Sequence, residues 1–132
     1  MAPLDGKRIL VVEDTAENMR LFRAVLKLEG AHILEAGDGA AGVAEAQREL
    51  PDLILMDIQM PGMDGLTATR LLKSTAATAS IPVIAVTASV MAADLGKIQE
   101  AGCDGYISKP IDPDTFAQQV AEQSLTALGR DF

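Results

Sequence analysis

The centre of the chain carries the run Leu53-Ile54-Leu55-Met56, four apolar residues that are followed directly by an acid. Two other runs have the same length and character, Ile9-Leu10-Val11-Val12 and Val83-Ile84-Ala85-Val86. None of these runs alternates polar with apolar residues, which is typical of strands that are buried on both faces of a parallel sheet. Residues 31–36 and 105–108 fit the same role more weakly, so we predict five strands.

Helical segments separate these runs. Their boundaries carry the usual signals, such as Thr15 at an N-cap position, Gly30 and Gly102 after a helix, and Pro113 at a first helical position. The helices that we predict span residues 16–29, 40–50, 66–73, 91–101 and about 113–128. Strand and helix therefore alternate five times. This order predicts an α/β fold, a five-stranded parallel sheet with helices on both faces in the doubly wound, flavodoxin-like (βα)5 arrangement.

The length and charge of the chain restrict its organisation and its partners. With 132 residues, 48% of them apolar, we expect one packed domain over residues 1–132, with a core from about 7 to 128 and no output domain. Only 3% of the residues are aromatic, so the core must be aliphatic. The net charge of −8 argues against binding to nucleic acid or to an anionic membrane, because both need clustered basic residues.

The cysteine content and the apolar runs bear on the compartment. Cys103 is the only cysteine, which excludes an intrachain disulfide and suits a reducing compartment. The first residues lack the apolar stretch of a signal peptide, and no run approaches the ~18 apolar residues that span a bilayer. We therefore expect a cytoplasmic protein without a membrane segment.

Polar side chains follow four of the predicted strands at the point where each strand ends. Glu13 and Asp14 follow the first strand, Asp57 the third, Thr87 the fourth and Lys109 the fifth. Each has an ordinary explanation when taken alone: an acid near a helix N-terminus or in a turn, a β-branched strand residue, a solvated lysine. Ligands of open α/β sheets bind at the carboxyl ends of the strands, so the joint placement favours a functional site.

The residue types at this edge point to phosphoryl chemistry. Three converging carboxylates repel one another, so that without a cation at least one of them should have a raised pKa. Mg²⁺ suits a few carboxylates with water completing its octahedron, and Lys109 adds a positive charge that can meet a phosphate. A magnesium ion and a lysine are the usual means of stabilising a transferring phosphoryl group. Asp57 can supply the nucleophile by forming an acyl phosphate.

The chain resembles the response-regulator receiver domains of two-component signalling over about residues 7–123, and four segments carry the resemblance. Within that family, residues 13–22 and 106–110 are most similar to the DivK-like single-domain receivers. The matching segments are Val11-Val12-Glu13-Asp14, Asp52-Leu53-Ile54-Leu55-Met56-Asp57-Ile58-Gln59-Met60-Pro61-Gly62-Met63-Asp64-Gly65, Pro82-Val83-Ile84-Ala85-Val86-Thr87-Ala88 and Ala101-Gly102-Cys103-Asp104-Gly105-Tyr106-Ile107-Ser108-Lys109-Pro110.

The resemblance implies a role for each matching residue. Asp57 is the implied phosphoacceptor, assisted by Thr87 and Lys109, which bond to phosphoryl oxygens. The implied Mg²⁺ ligands are Glu13, Asp14, Asp57 and the backbone carbonyl of Gln59. Glu13 stands where an aspartate is more frequent, a variant that the family accepts.

Further implied roles concern the lifetime of the phosphorylated state and its conformational switch. Thr87 is expected to move toward the phosphate and Tyr106 to fill the space that it leaves. Gln59, Ala88 and Ser89 lie where family members tune autodephosphorylation. The peptide bond between Lys109 and Pro110 is expected to be cis.

Two helices carry features beyond this pattern. Gly96 lies in the middle of the fourth helix, and we interpret that helix as marginal and easily displaced; the alternative is a glycine that close packing requires. On the first helix, Phe22, Val25 and Leu26 form a core stripe, while Leu21 and Leu28 share a second face near Asn18. We predict that Asn18 and Leu21 contact the phosphodonor, the alternative being that they are scattered surface residues.

Three competing functions are weaker. An aspartate-nucleophile phosphatase usually has a second acid two residues after the nucleophile, where this chain has Gln59. A nucleotide- or flavin-binding domain needs a glycine-rich turn after the first strand, and residues 13–16 contain no glycine. A degenerate receiver that serves only as a docking module would lack an acid, the acceptor or the lysine, and none is missing.

The expected function is therefore Mg²⁺-dependent phosphoryl transfer from a phosphohistidine to Asp57. The expected donor is a histidine kinase or a histidine phosphotransfer protein, and we do not expect the protein to be a turnover enzyme. Output is expected through contact of a downstream protein with the face formed by the fourth helix, the fifth strand and the fifth helix.

Overall fold

The computed structural model of the protein describes residues 4–60, 62–88 and 92–129. Strands and helices alternate along these residues, as the sequence predicts. The sheet has the strand order β2-β1-β3-β4-β5, with all four neighbouring pairs parallel, so the predicted fold class is confirmed. The elements are β1 Arg8–Val12, α1 Ala16–Leu28, β2 His32–Ala36, α2 Gly39–Glu49, β3 Leu53–Asp57, α3 Gly65–Ser74, β4 Val83–Thr87, α4 Ala92–Ala101, β5 Gly105–Ser108 and α5 Phe116–Gly129.

Most element boundaries lie within one residue of the predicted ones, and α5 is the exception. It begins at Phe116, because residues 113–115 form a turn instead of the first helical turn that Pro113 suggests. The side chain of Asp112 accepts a hydrogen bond from the backbone N–H of Asp114 at 2.9 Å and so stabilises the turn. Met91, the predicted first residue of the fourth helix, lies outside the described residues.

Local signals fix where the helices begin. The side chains of Asp38 and Asp64 cap α2 and α3 by accepting backbone N–H groups three residues later, each at 2.8 Å. Thr15 has the extended backbone of an N-cap residue of α1, but its side chain makes no capping bond.

The core consists of two apolar layers, one on each face of the sheet. Successive residues of β1 alternate between the layers: Ile9 and Val11 pack beneath α1 and α5, while Leu10 and Val12 pack on the opposite face, where α2 and α3 cover the sheet. The predicted stripe of α1 is buried, and the ring of Phe22 lies 5.3 Å from that of Phe116 on α5. β1, β3 and β4 are almost wholly buried, which agrees with their continuous apolar sequences.

The strand register brings the ends of the strands to one level. The backbone N–H of Glu13 donates to Ala36 at 3.0 Å, that of Ile58 to Val86 at 3.2 Å and that of Lys109 to Thr87 at 2.8 Å, so the ladder continues one residue past three strands. The loops that follow β1, β3 and β5 therefore leave the sheet at the same edge. Among the helices of the described segments, none combines the length and apolar character needed to cross a membrane.

Candidate functional site

Three carboxylates meet at the carboxyl edge of the sheet. Oxygen atoms of Glu13, Asp14 and Asp57 lie within 4.8 Å of one another. Glu13 and Asp57 are buried, with exposed fractions of 2% and 3%, whereas Asp14 faces solvent. The convergence predicted from the sequence is therefore present, with two acids inside and one at the entrance.

Lys109 supplies the positive charge beside these acids. Its Nζ lies 3.2 Å from Glu13 Oε1 and 3.4 Å from Asp57 Oδ2. The second oxygen of Glu13 accepts the backbone N–H of Thr15 at 3.1 Å, so both of its oxygens have donors. The peptide bond after Lys109 is cis, as expected. Lys109 thus bridges the two buried carboxylates from the position directly after β5.

The orientation of Asp57 is set by the loop that follows β3. Its Oδ1 accepts the backbone N–H of Gln59 at 3.0 Å. The same loop folds back at Gly65, whose N–H donates to the carbonyl of Ile58 at 3.3 Å. A Cβ atom at Gly65 would lie 2.2 Å from the carbonyl oxygen of Asp57, so any other residue there must move one of the two backbones.

Gly65 is a site residue that sequence reasoning did not single out. Apart from its place in one of the segments that resemble receiver domains, its sequence signal was the turn-forming pair Asp64-Gly65 before a predicted helix. That signal places a turn but does not show that the turn packs against the phosphoacceptor.

The pKa of Asp57 departs clearly from its ordinary value. The pKa is raised from 3.8 to about 6, and burial is the largest cause. The N–H of Gln59 opposes this increase, the charge of Glu13 adds to it, and Lys109 lowers the pKa again. The sequence predicted a raised pKa from repulsion between carboxylates, but in the structure the loss of hydration contributes more than repulsion.

The donor set suits a hard divalent cation. Carboxylate oxygens from three side chains converge, and the exposure of Asp14 leaves one side open to water, which Mg²⁺ retains when it binds to proteins. The backbone carbonyl of Gln59 is predicted as a further ligand, and it belongs to the same residue whose N–H orients Asp57.

The predicted switch residues lie on neighbouring strands. Thr87 is buried at the end of β4 and pairs in register with Ser108, two residues after Tyr106. Tyr106 has 42% of its surface exposed and borders a cavity of about 340 Å³ between α4 and β5. Of the residues expected to tune the phosphorylated state, Ala88 is exposed and Ser89 lies outside the described residues. The switching and tuning roles stay predictions.

The predicted docking residues lie on α1. Asn18 and Leu21 are both partly buried, and Leu21 packs against the core layer beneath α1 and α5. A cleft of about 530 Å³ extends from Glu13 and Asp14 to Arg20 and Arg23 on another flank of the helix. Contact of Asn18 and Leu21 with a phosphodonor stays a prediction.

Sequence comparison relates the chain to signalling proteins. A sequence model described as the response regulator receiver domain matches residues 9–121. The polar-differentiation response regulator DivK of Brucella anthropi is 41% identical over 114 residues, which cover 86% of this chain and 93% of that protein. The protein of the same name from Brucella ovis gives the same identity and coverage. These matches confirm the DivK-like resemblance predicted from the motifs.

Solved structures agree with the sequence matches. The receiver domain of a sensor histidine kinase from Pseudomonas aeruginosa PAO1 is 31% identical, superposes with a TM-score of 0.82, and covers 90% of this chain and 98% of its own. That structure has a magnesium ion coordinated in the active site cleft. The chemotaxis protein CheY4 of Vibrio cholerae superposes with a TM-score of 0.84 over 89% of this chain and 98% of its own, and at 22% identity it supports the fold alone.

Proposed function

The chain belongs to the response regulator receiver domains of two-component signalling, and from this membership we propose that Asp57 accepts a phosphoryl group from a phosphohistidine. The donor is a histidine kinase or a histidine phosphotransfer protein. The observation that carries the proposal is the arrangement around Asp57, where two further carboxylates and the amine of Lys109 surround one buried, oriented acid.

The proposed transfer forms one bond and breaks one. A carboxylate oxygen of Asp57 attacks the phosphorus of the phosphohistidine, and the P–N bond breaks with its electron pair staying on the imidazole, which takes up a proton. The product is an acyl phosphate on Asp57. The N–H of Gln59 holds the carboxylate during attack, and Lys109 lies close enough to pair with a phosphoryl oxygen after leaving Glu13.

Glu13, Asp14, Asp57 and the carbonyl of Gln59 would hold Mg²⁺. When bound, this ion would neutralise the carboxylates and the charge that develops on the phosphoryl oxygens. The surroundings of Asp57 suit it to take part in the proposed transfer. The N–H of Gln59 holds the Asp57 carboxylate in one orientation, Asp57 is buried with 3% of its surface exposed, and Asp14 beside it faces solvent.

The phosphorylated state ends when water attacks the phosphorus and the P–O bond to Asp57 breaks, which releases inorganic phosphate. The protein takes part in both steps but turns over no substrate of its own. While the phosphate is present, movement of Thr87 and Tyr106 would alter the face formed by α4, β5 and α5. A downstream protein would bind there, and the cavity beside Tyr106 offers space for a partner side chain.

The test is mass spectrometry of the intact protein after incubation with a small-molecule phosphodonor and Mg²⁺. The wild type should gain the mass of one phosphoryl group, and Asp57→Asn should gain none. Glu100→Gln is the matched control, because it also converts a carboxylate to an amide but at an exposed position on α4. Equal labelling of wild type and Asp57→Asn would contradict the proposal, and so would an unlabelled wild type that stays unlabelled with a histidine-phosphorylated donor protein.

A further inference from the structure

A groove runs between α1 and α5 on the outside of the molecule. Its volume is about 570 Å³. Val25 and Ala121 form its buried floor, and Ala117 is partly buried beside them. The small side chains of the two alanines leave the space between the helices unfilled.

Leu28 lies at the edge of this groove, and most of its side chain is exposed to solvent. It is 85% exposed, the largest exposed fraction among the large apolar side chains of the described residues. The other exposed large apolar residues, Leu50, Leu71 and Tyr106, have 41% to 50% of their surface exposed. A leucine placed beside an apolar groove extends the groove into one continuous surface that a partner could cover.

The charged residues of the groove all have the same sign. Glu29, Asp114 and Glu122 line it, and no lysine or arginine does so among the described residues. Gln118 donates to Glu122 at 3.1 Å, which leaves the negative charge in place. The surface therefore combines an apolar centre with an acidic rim.

We propose that this groove binds a basic amphipathic helix of a partner protein. A helix presents apolar side chains at i, i+3 and i+4, which fit a groove between two parallel helices, and lysines or arginines at its flanks would meet Glu29, Asp114 and Glu122. A second copy of this chain is disfavoured as the occupant, because each copy has a net charge of −8 and would bring the same acidic rim.

This surface differs from the predicted phosphodonor contact. Leu28 lies ten residues beyond Asn18 on α1, which is about 15 Å along the helix axis at the usual rise per residue. The cavity between α4 and β5 that Tyr106 borders shares no lining residue with the groove. The groove can therefore be occupied without blocking Asp57, and binding there does not depend on the proposed phosphorylation.

The experiment uses a synthetic amphipathic helical peptide of leucine and lysine as the probe, with the full chain and fluorescence anisotropy as the readout. We expect binding that weakens by about tenfold or more in Leu28→Asp, as expected for a central apolar anchor. Leu71→Asp is the matched control on α3 and should bind like the wild type. Amide chemical shifts should change along the second half of α1 and along α5.

The charge requirement has its own pair of variants. The double variant Glu29→Gln with Asp114→Asn should weaken binding and reduce its salt dependence, while Glu17→Gln with Glu100→Gln, which removes the same charge elsewhere, should not. Three results would overturn the proposal: no binding, equal binding of a peptide with glutamate in place of lysine, or shift changes confined to the acidic site. Sedimentation that shows a dimer abolished by Leu28→Asp would also overturn it, in favour of a second copy. Phosphorylation of Asp57 by a small donor should be unaffected by Leu28→Asp, which shows that the variant is folded.

Discussion

The carboxyl of Asp57 lies in surroundings that favour its neutral form, although its proposed chemistry needs the charged form. Its pKa is raised to about 6, mainly by burial, while the N–H of Gln59 and the charge of Lys109 favour the carboxylate. A cation bound among the three acids would reverse this balance. The raised pKa therefore has measurable consequences in the metal-free protein.

In the presence of a chelator, Asp57→Asn should be more stable than the wild type at pH 8. The wild-type pKa is about 6 in the folded state against an ordinary 3.8, so the folded state binds the proton more tightly and loses stability as the pH rises from about 4 to about 6. The difference is about two pKa units, which corresponds to a gain on the order of 2–3 kcal/mol for the amide at pH 8. Urea unfolding at several pH values measures it. The advantage should disappear near pH 4, and a gain that is independent of pH would contradict this account.

Lys109→Met should slow phosphorylation of Asp57 by about 100-fold or more, because the charge that meets the phosphoryl oxygens is lost. The matched control is Lys73→Met. Lys73 is also a partly buried lysine, but it pairs with Asp104 at 2.9 Å and with loop carbonyls, away from the acids. The control should lose stability without a comparable loss of rate. Initial rates of acyl phosphate formation separate the two, and similar rates for both variants would remove Lys109 from the proposed transfer.

Gly65→Ala should weaken Mg²⁺ binding, because a Cβ atom would lie 2.2 Å from the carbonyl of Asp57 and displace the loop that holds Gln59. Gly62, in the same loop, has open space around its missing Cβ but a φ of +74°, so Gly62→Asn is the matched control, since asparagine tolerates that backbone. Titration of each variant with Mg²⁺, followed by chemical shifts of the loop, measures the affinity. Unchanged affinity in Gly65→Ala would show that the contact does not position the site.

Among the elements, α4 is the helix that a single substitution should most readily stabilise. Gly96 is exposed, and a Cβ atom there would meet nothing within 4 Å, so close packing does not require the glycine. The alternative considered from the sequence is therefore wrong. Gly96 therefore lowers the stability of α4 through the conformational entropy that a glycine loses in a helix. The interpretation of α4 as a marginal helix requires this cost.

Gly96→Ala should stabilise the protein by about 1 kcal/mol and slow hydrogen exchange in α4. Gly42→Ala is the matched control in α2, where the added Cβ would lie 2.8 Å from Val12 in the core and should destabilise the protein by about 1–3 kcal/mol. If α4 exchanges as slowly as α1 in the wild type, and Gly96→Ala changes neither rate nor stability, the helix is not marginal.

The boundaries of the elements show where sequence patterns stop being informative. Pro113 predicts the start of α5, but the bond from Asp114 to the side chain of Asp112 keeps three residues in a turn. Thr15 predicts a capping bond, but in the structure its side chain makes none, while its backbone N–H donates to Glu13. In both places the residue type marks the correct region of the chain, but the sequence alone does not say which local hydrogen bonds form there.

For the molecule as a whole, the fold and the convergence of the acids followed from the alternation of apolar runs and helices. Buried strands, parallel pairing and ligand sites at the carboxyl edge are general consequences of that order. The dominance of burial over repulsion at Asp57 did not follow, because it depends on how deeply each acid is buried. The groove between α1 and α5 could not be predicted from the sequence either. It depends on the way Ala117 and Ala121 of α5 are placed opposite Leu28 of α1.

Mg²⁺ should raise the melting temperature of the whole protein, because a ligand that binds the folded state alone stabilises it in proportion to the logarithm of its concentration. Asp14→Asn should lose most of this gain while melting like the wild type in chelator, since Asp14 is exposed and its removal leaves the core intact. Thermal unfolding at increasing Mg²⁺ tests this. An equal shift in both proteins would mean that the ion binds elsewhere.

The strand order separates central strands, which pair with a neighbour on both sides, from the edge strand β5, which pairs on one side. Glu13 follows β1 and Asp57 ends β3, and each of these strands has a neighbour on both sides. Tyr106 lies on β5 and Lys109 directly follows it, and β5 has only one neighbour. Displacing β5 breaks about half as many interstrand hydrogen bonds per residue as displacing β1 or β3. The proposed switch would therefore act on the strand with fewer interstrand bonds, while the acids that would carry the proposed reaction stay on strands held on both sides.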